Sequence, residues 1–128
     1  MQFSFTLDSL PTSNNSIYTN GRNGRRVMVA AARKYKESVE EKAALELRGY
    51  EFDKRTPWNA VLEFHLSSSF NKRDVNNMDK LIIDAIALAL GIDDIYLREL
   101  TVRKFQCQHG DEGVTVYFNV TQQEDLRF

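Results

Sequence analysis

The chain lacks the residues that staple small folds together. Cys107 is its only cysteine, which excludes an intrachain disulfide and fits a reducing compartment. His65 and His109 are its only histidines. Without a Cys-x-x-Cys they are too isolated for a zinc site and read as structural. No run approaches the ~18 apolar residues of a membrane span. Met1–Leu7 alternates instead of forming the apolar block of a signal peptide. Surplus charge is missing too: the formal net charge is −1, unlike that of a generally basic DNA-coating protein. No repeat, linker or Gly-rich nucleotide loop is present. What is there is ordinary for a globular domain, with 42% hydrophobic and 27% charged residues in 128. One domain over 1–120 is expected, followed by a polar tail at 121–128 with little claim to order.

The pattern along the chain predicts an α+β domain. Phe3, Phe5 and Leu7 alternate as in a strand. Asp8–Gly24 is polar, holds Pro11, two glycines and four asparagines, and reads as a long loop. A helix is predicted over Val27–Leu47, with Ala31, Tyr35, Val39 and Ala43 at four-residue spacing and Gly49 as its stop. Trp58–Ser68 alternates as a second strand. An apolar helix then runs to Leu90, capped by Asn76 or Asn77 and ended by Gly91. Strands are predicted at Ile95–Gln108 and Val114–Val120, joined by a hairpin turn at His109–Gly113. The order is β-α-β-α-β-β: two helices packed on a small mixed sheet.

Charge is unevenly spread despite its near-neutral sum. Arg22, Arg25, Arg26, Arg33, Lys34 and Lys36 make the early chain basic, and Lys72-Arg73 add to it. These can meet phosphate or be solvated surface charge. Asp74 and Asn76, two apart, point the same way in extended chain. On an ideal helix Asn77, Lys80 and Asp84 fall in a wedge of roughly 60°. That wedge is either a solvent-exposed Lys80–Asp84 pair or one side of a cleft that also receives Asp74 and Asp94. In the second case three separate stretches meet around one hard divalent cation, which takes oxygen ligands and keeps positions open for water and phosphate. An EF-hand is excluded: Asp79 stands where glycine is needed and Ala85 replaces the final glutamate.

Asp74-Val-Asn76-Asn77-Met-Asp-Lys80-Leu-Ile-Ile-Asp84-Ala85, followed by Asp93-Asp94, resembles the signature of the RusA family of Holliday junction resolvases. That pattern is Asp-x-Asp-Asn-x-x-Lys-x-x-x-Asp-Ala, then a helix end and Asp-Asp. Leu10-Pro11-Thr12-Ser13-Asn14-Asn15, with Tyr18 and the Arg-rich loop, resembles the family's Pro-Ser-Asn-Asn opening. The resemblance covers residues 3 to about 120. It implies a homodimeric, Mg²⁺-dependent endonuclease, with Mn²⁺ as a substitute ion, that nicks four-way DNA junctions symmetrically through a metal-activated water. It implies metal-binding carboxylates at Asp74 and Asp94, with Asn76 and Asp93 as further ligands. It also implies a catalytic Lys80 and site-shaping roles for Asn77 and Asp84. DNA contacts fall to Asn14, Asn15, Arg22, Arg25, Arg26, Lys72 and Arg73. The implied setting is bacterial cytoplasm, with phage or prophage origin left open and no membrane partner.

Asn76 departs from the pattern, which has an aspartate there. Its carbonyl oxygen can coordinate a metal but brings no negative charge. Three explanations are open: a subgroup that tolerates a neutral residue, a substitution that weakens cleavage but spares DNA binding, or lost catalysis. The first is favoured because the rest of the pattern is present, with Asp93 as the better source of replacement charge and Asp79 as the poorer. The alternative function is a branched-DNA-binding dimer that cleaves weakly or not at all. An unrelated small-substrate phosphohydrolase is a third reading.

Overall fold

The computed structural model describes residues 1–121, so the tail beyond Thr121 lies outside the described residues. Strand β4 (Trp58–Leu66) is the centre. Trp58, Ala60, Leu62, Phe64 and Leu66 are buried and alternate with half-buried Asn59, Val61, Glu63 and His65. Each buried side chain therefore points to one face of the sheet. β4 pairs in parallel with β5 (Leu97–Gln106) and antiparallel with β6 (Gly113–Val120), which in turn pairs with β1 (Gln2–Leu7). The sheet order is β1-β6-β4-β5.

A parallel pair needs a crossover, and α2 (Lys80–Leu90) supplies it. Leu81, Ile82, Ile83, Ala85, Ile86, Ala87 and Leu90 of α2 are buried. Ile82, Ile83 and Ile86 join β4 and β6 side chains in the main core. Leu81 faces the other way, onto Ile17 and onto Ala32 of α1 (Ala30–Glu46). Both helices thus cover one face of the sheet. Gly91 ends α2 in the left-handed region, at φ 70°, as a helix stop requires.

Four expectations are corrected. The long loop contains a small hairpin, β2 (Tyr18–Asn20) against β3 (Arg26–Met28). It delays α1 until Ala30, because Arg26–Met28 are spent on pairing and Val29 N–H donates to Ile17 O at 2.8 Å. Val27 and Val29 suit extended chain better than a first helical turn. Within α1, Ala32 rather than Ala31 is buried. The expected turn at His109–Gly113 joins no hairpin. The chain does reverse there, with Asp111 N–H donating to Gln108 O, but β4 lies between β5 and β6. β4 and β6 each bury a whole face and each take a partner on both edges, so they form the centre of the sheet.

Gly113 of β6 leaves no room for a side chain beside Leu7 of β1. A Cβ there would sit 2.2 Å from the Leu7 carbonyl oxygen, backbone that cannot swing aside. Gly113→Ala is expected to lower the unfolding free energy by ~1–3 kcal/mol in a urea titration, as overpacking does. An unchanged midpoint would show that β1 and β6 part freely at this end.

Candidate active site

The segment after β4 is shaped by tertiary contacts. Val75–Asn77 form a 3-10 turn instead of extended chain, with Asn77 N–H donating to Asp74 O at 3.1 Å. Asp74 and Asn76 therefore do not share a strand face. The helix begins at Lys80, with Asp79 as its first flanking residue. Neither Asn76 nor Asn77 caps it, and Asn77 lies outside the wedge predicted for it.

Three side chains tie this segment down. Lys104 of β5 donates to the Phe70 and Arg73 carbonyls at 2.6 and 2.9 Å, with its ammonium 4.8 Å from the Phe70 ring centre. Arg73 is half-buried and donates to Pro11 O at 2.7 Å. Burial pulls its pKa down, against the opposing influence of Tyr35. Asn14 bonds to Asp79, to the Asn76 carbonyl and to the Lys80 amide.

On α2 itself the polar surface is a narrow strip. Lys80 and Leu88 are exposed and Asp84 is half-buried, four residues apart in turn, so they line one side of the helix. Lys80 Nζ lies 3.4 Å from Asp84 Oδ2. An open cleft of about 450 Å³ follows this strip past Gly91 and is lined by Asp84, Leu88, Asp93, Asp94 and Lys36 of α1. Asp93 accepts from Ile95 N–H at 3.0 Å, which fixes the turn at Asp94–Tyr96. That bond, and one shared with the Asp94 carboxyl, pulls the Asp93 pKa below the usual carboxylate range. Asp94 is pushed up, first by the proton shared with Asp93, then by slight burial and by the charges of Asp93 and Asp84. Lys80 opposes this. A carboxyl whose ionisation is resisted by like charges gains from a nearby cation.

The predicted residues thus divide. Lys80, Asp84, Asp93 and Asp94 share the α2 face and its far end. Asp74 and Asn77 border a second hollow with Pro11, Ser13 and Arg73. Among the described residues, no three carboxylate, histidine or cysteine groups gather closely enough to hold a metal ion. The three stretches expected around one cation thus border two hollows, Asp84, Asp93 and Asp94 the first and Asp74 the second. Arg22, Arg25 and Arg26 are exposed on the β2–β3 hairpin, with Arg26 stacked 4.8 Å from the centre of the Tyr18 ring. Asn15 and Lys72 are also exposed.

The profile of the endodeoxyribonuclease RusA family matches residues 8–117. The chain belongs to the RusA endodeoxyribonuclease family. No curated protein matches it closely. The RusA match spans the N-terminal loop, both helices and all strands except β1 and the end of β6. It therefore includes both hollows. Among the described residues, no helix is long and apolar enough to cross a membrane.

Two residues around these hollows escaped sequence reading. Lys36 was visible only as one more charge in a basic stretch. Lys104 gave no signal, because its partners lie 31 and 34 residues away in sequence. Lys104→Met keeps the aliphatic stem and removes both ammonium bonds. It is expected to cost ~1.5–3 kcal/mol of stability, as for hydrogen bonds to a charged group, and to speed amide exchange over 70–74. Unchanged exchange there would show that the segment holds without Lys104.

Proposed function

We propose that the chain resolves four-way DNA junctions as a homodimer, hydrolysing one phosphodiester in each of two opposed strands with the help of Mg²⁺. The observation that carries this reading is the RusA match over residues 8–117 together with Asp84, Asp93 and Asp94 on one cleft, with Lys80 paired to Asp84 at its side. The donor chemistry suits a hard cation: Asp74, Asn76, Asp93 and Asp94 all offer oxygen, and all four are exposed. Mg²⁺ commonly takes only one or two carboxylates and leaves its other positions to water and phosphate, so a closed cage of acids is not required. In the proposed site Asp74 and Asp94 are the main ligands, with Asn76 and Asp93 beside them. A bound Mg²⁺, or Mn²⁺ in its place, would offset charge on phosphate oxygens and make water acidic enough to attack.

Lys80 meets the charge that develops on the phosphate. Its pairing with Asp84 is exposed, with side chains 46% and 25% accessible, and such helix pairs are worth only ~0.2–0.5 kcal/mol. Lys80 can therefore leave Asp84 for a phosphate at little cost. Asn15, Arg22, Arg25, Arg26 and Lys72 are placed to hold the DNA backbone, a sequence-independent task. Two copies related by a two-fold axis would supply two such sites for two nicks.

The test is cleavage of an end-labelled four-way junction with Mg²⁺ or Mn²⁺, beside Asp74→Asn and Lys80→Ala. Paired symmetrical nicks are expected, with each variant at least ~100-fold slower, as for loss of a group that stabilises transition-state charge. Tight junction binding without nicks would favour the binding-only reading, and a large gain from Asn76→Asp at constant affinity would trace the defect to Asn76. Millimolar Mg²⁺ is expected to raise the melting temperature, because it binds only the folded chain. A flat response would count against a tight site.

A further inference from the structure

The start of a helix leaves four amide groups without intrahelical partners. At α2 the usual remedy is missing, because the Asp79 side chain makes no capping bond. The partner comes from 66 residues away: Lys80 N–H donates to Asn14 Oδ1 at 3.2 Å. The Nδ2 of the same amide donates to Asp79 Oδ1 at 3.0 Å and to Asn76 O at 3.4 Å. Nδ2 carries two hydrogens, and both are used. One side chain thus holds three points of the segment that carries Asn76 and Lys80.

Asn14 is itself well anchored. It opens a 3-10 turn, Asn14–Ser16. Ile17, next in the chain, is 1% exposed and packs with Leu81 of α2. Three residues earlier, Pro11 O is held by Arg73. The N-terminal loop and the start of α2 therefore move as one piece.

We propose that Asn14 is a positioning residue, setting Lys80 and Asn76 relative to the scissile phosphate, and that it does not bind DNA. This rests on the reading of the chain as a junction nuclease. A displacement of ~1 Å at reacting groups costs on the order of 100-fold in rate, so a clamp on the backbone of Lys80 has leverage on catalysis without touching substrate.

A charge-swap pair tests it. Asn14→Asp keeps the acceptor for Lys80 N–H but sets a carboxylate against Asp79. Adding Asp79→Asn restores one donor and one acceptor with the roles exchanged. Single-turnover cleavage of a four-way junction, at saturating enzyme and below the melting range, is expected to fall at least ~10-fold in Asn14→Asp. It should return to within ~3-fold in the double variant, with junction affinity unchanged throughout. Asn14→Ala should speed exchange of the Lys80 amide with no DNA present. Weakened junction binding that Asp79→Asn does not restore would identify a phosphate contact and overturn the proposal. A parent chain that nicks junctions while the double variant stays as slow as Asn14→Asp would overturn the positioning role alone. A parent that nicks no branched DNA would overturn the nuclease reading and the catalytic role with it, even where the Lys80 amide still depends on Asn14.

Discussion

Helix α2 is sealed between the sheet on one side and α1 with the β2–β3 hairpin on the other. Burying a Leu or Ile side chain is worth ~1.5–3 kcal/mol, and α2 buries five of them along with two alanines. Its one ion pair contributes ~0.2–0.5 kcal/mol. Packing therefore decides where the helix lies, and the ion pair only decorates the side left open. Polar chemistry has few places to go. It occupies the strip from Lys80 to Leu88 and the turns at either end of the helix. The family motif, the cleft and the N-terminal clasp all fall on these places.

The two ends are secured differently, and the difference follows from local chemistry. At the C-terminal end the chain closes on itself: Gly91 turns left-handed, Ile92 is buried, and Asp93 accepts from Ile95 N–H. Every bond there is local, so the turn is built by its own residues. At the N-terminal end, residues 67–79 have no strand or long helix of their own. Their backbone is satisfied partly from afar, by Lys104 of β5 and by Asn14 of the N-terminal loop, and Arg73 reaches back to Pro11. Asp74 thus depends on the folding of the whole domain, whereas Asp93 and Asp94 depend on one turn.

That contrast explains what was legible in the sequence. Alternation in β4, the apolar run of α2 and the stop at Gly91 are local patterns, and each was read correctly. The RusA resemblance was legible for the same reason, since its motif is a compact run of spaced residues. The 3-10 turn at Val75–Asn77 was not, because an Asp-x-Asn spacing fits extended and turned backbone alike. The β2–β3 hairpin hid in a loop rich in Asn and Gly, with strands of three residues each, too short for alternation to register. The His109–Gly113 turn was recognised as a turn. Its partners were misjudged, because β6 pairs with β4, which buries a whole face, and not with β5, which buries no residue. Lys104 and the clasping role of Asn14 exist only in the folded chain.

The distribution of charge bears on Asn76. Asp93 and Asp94 crowd one end of α2, where the hydrogen bond to Asp93, then slight burial and the charges of Asp93 and Asp84, raise the Asp94 pKa. At the other end Asp74 is exposed, Asn76 is neutral, and Asp79 is engaged by Asn14. A cation drawn to the chain has more to gain at the Asp94 end, where it relieves repulsion as well as binding oxygen. Restoring an aspartate at position 76 would even out this imbalance, at the cost of a second unpaired carboxylate near Asp74. In the proposed enzyme a neutral Asn76 is therefore compatible with cation binding as long as Asp93 and Asp94 remain. The burden of catalysis then falls more heavily on Lys80, the one cation on the exposed strip of α2, and so on whatever holds its backbone in place.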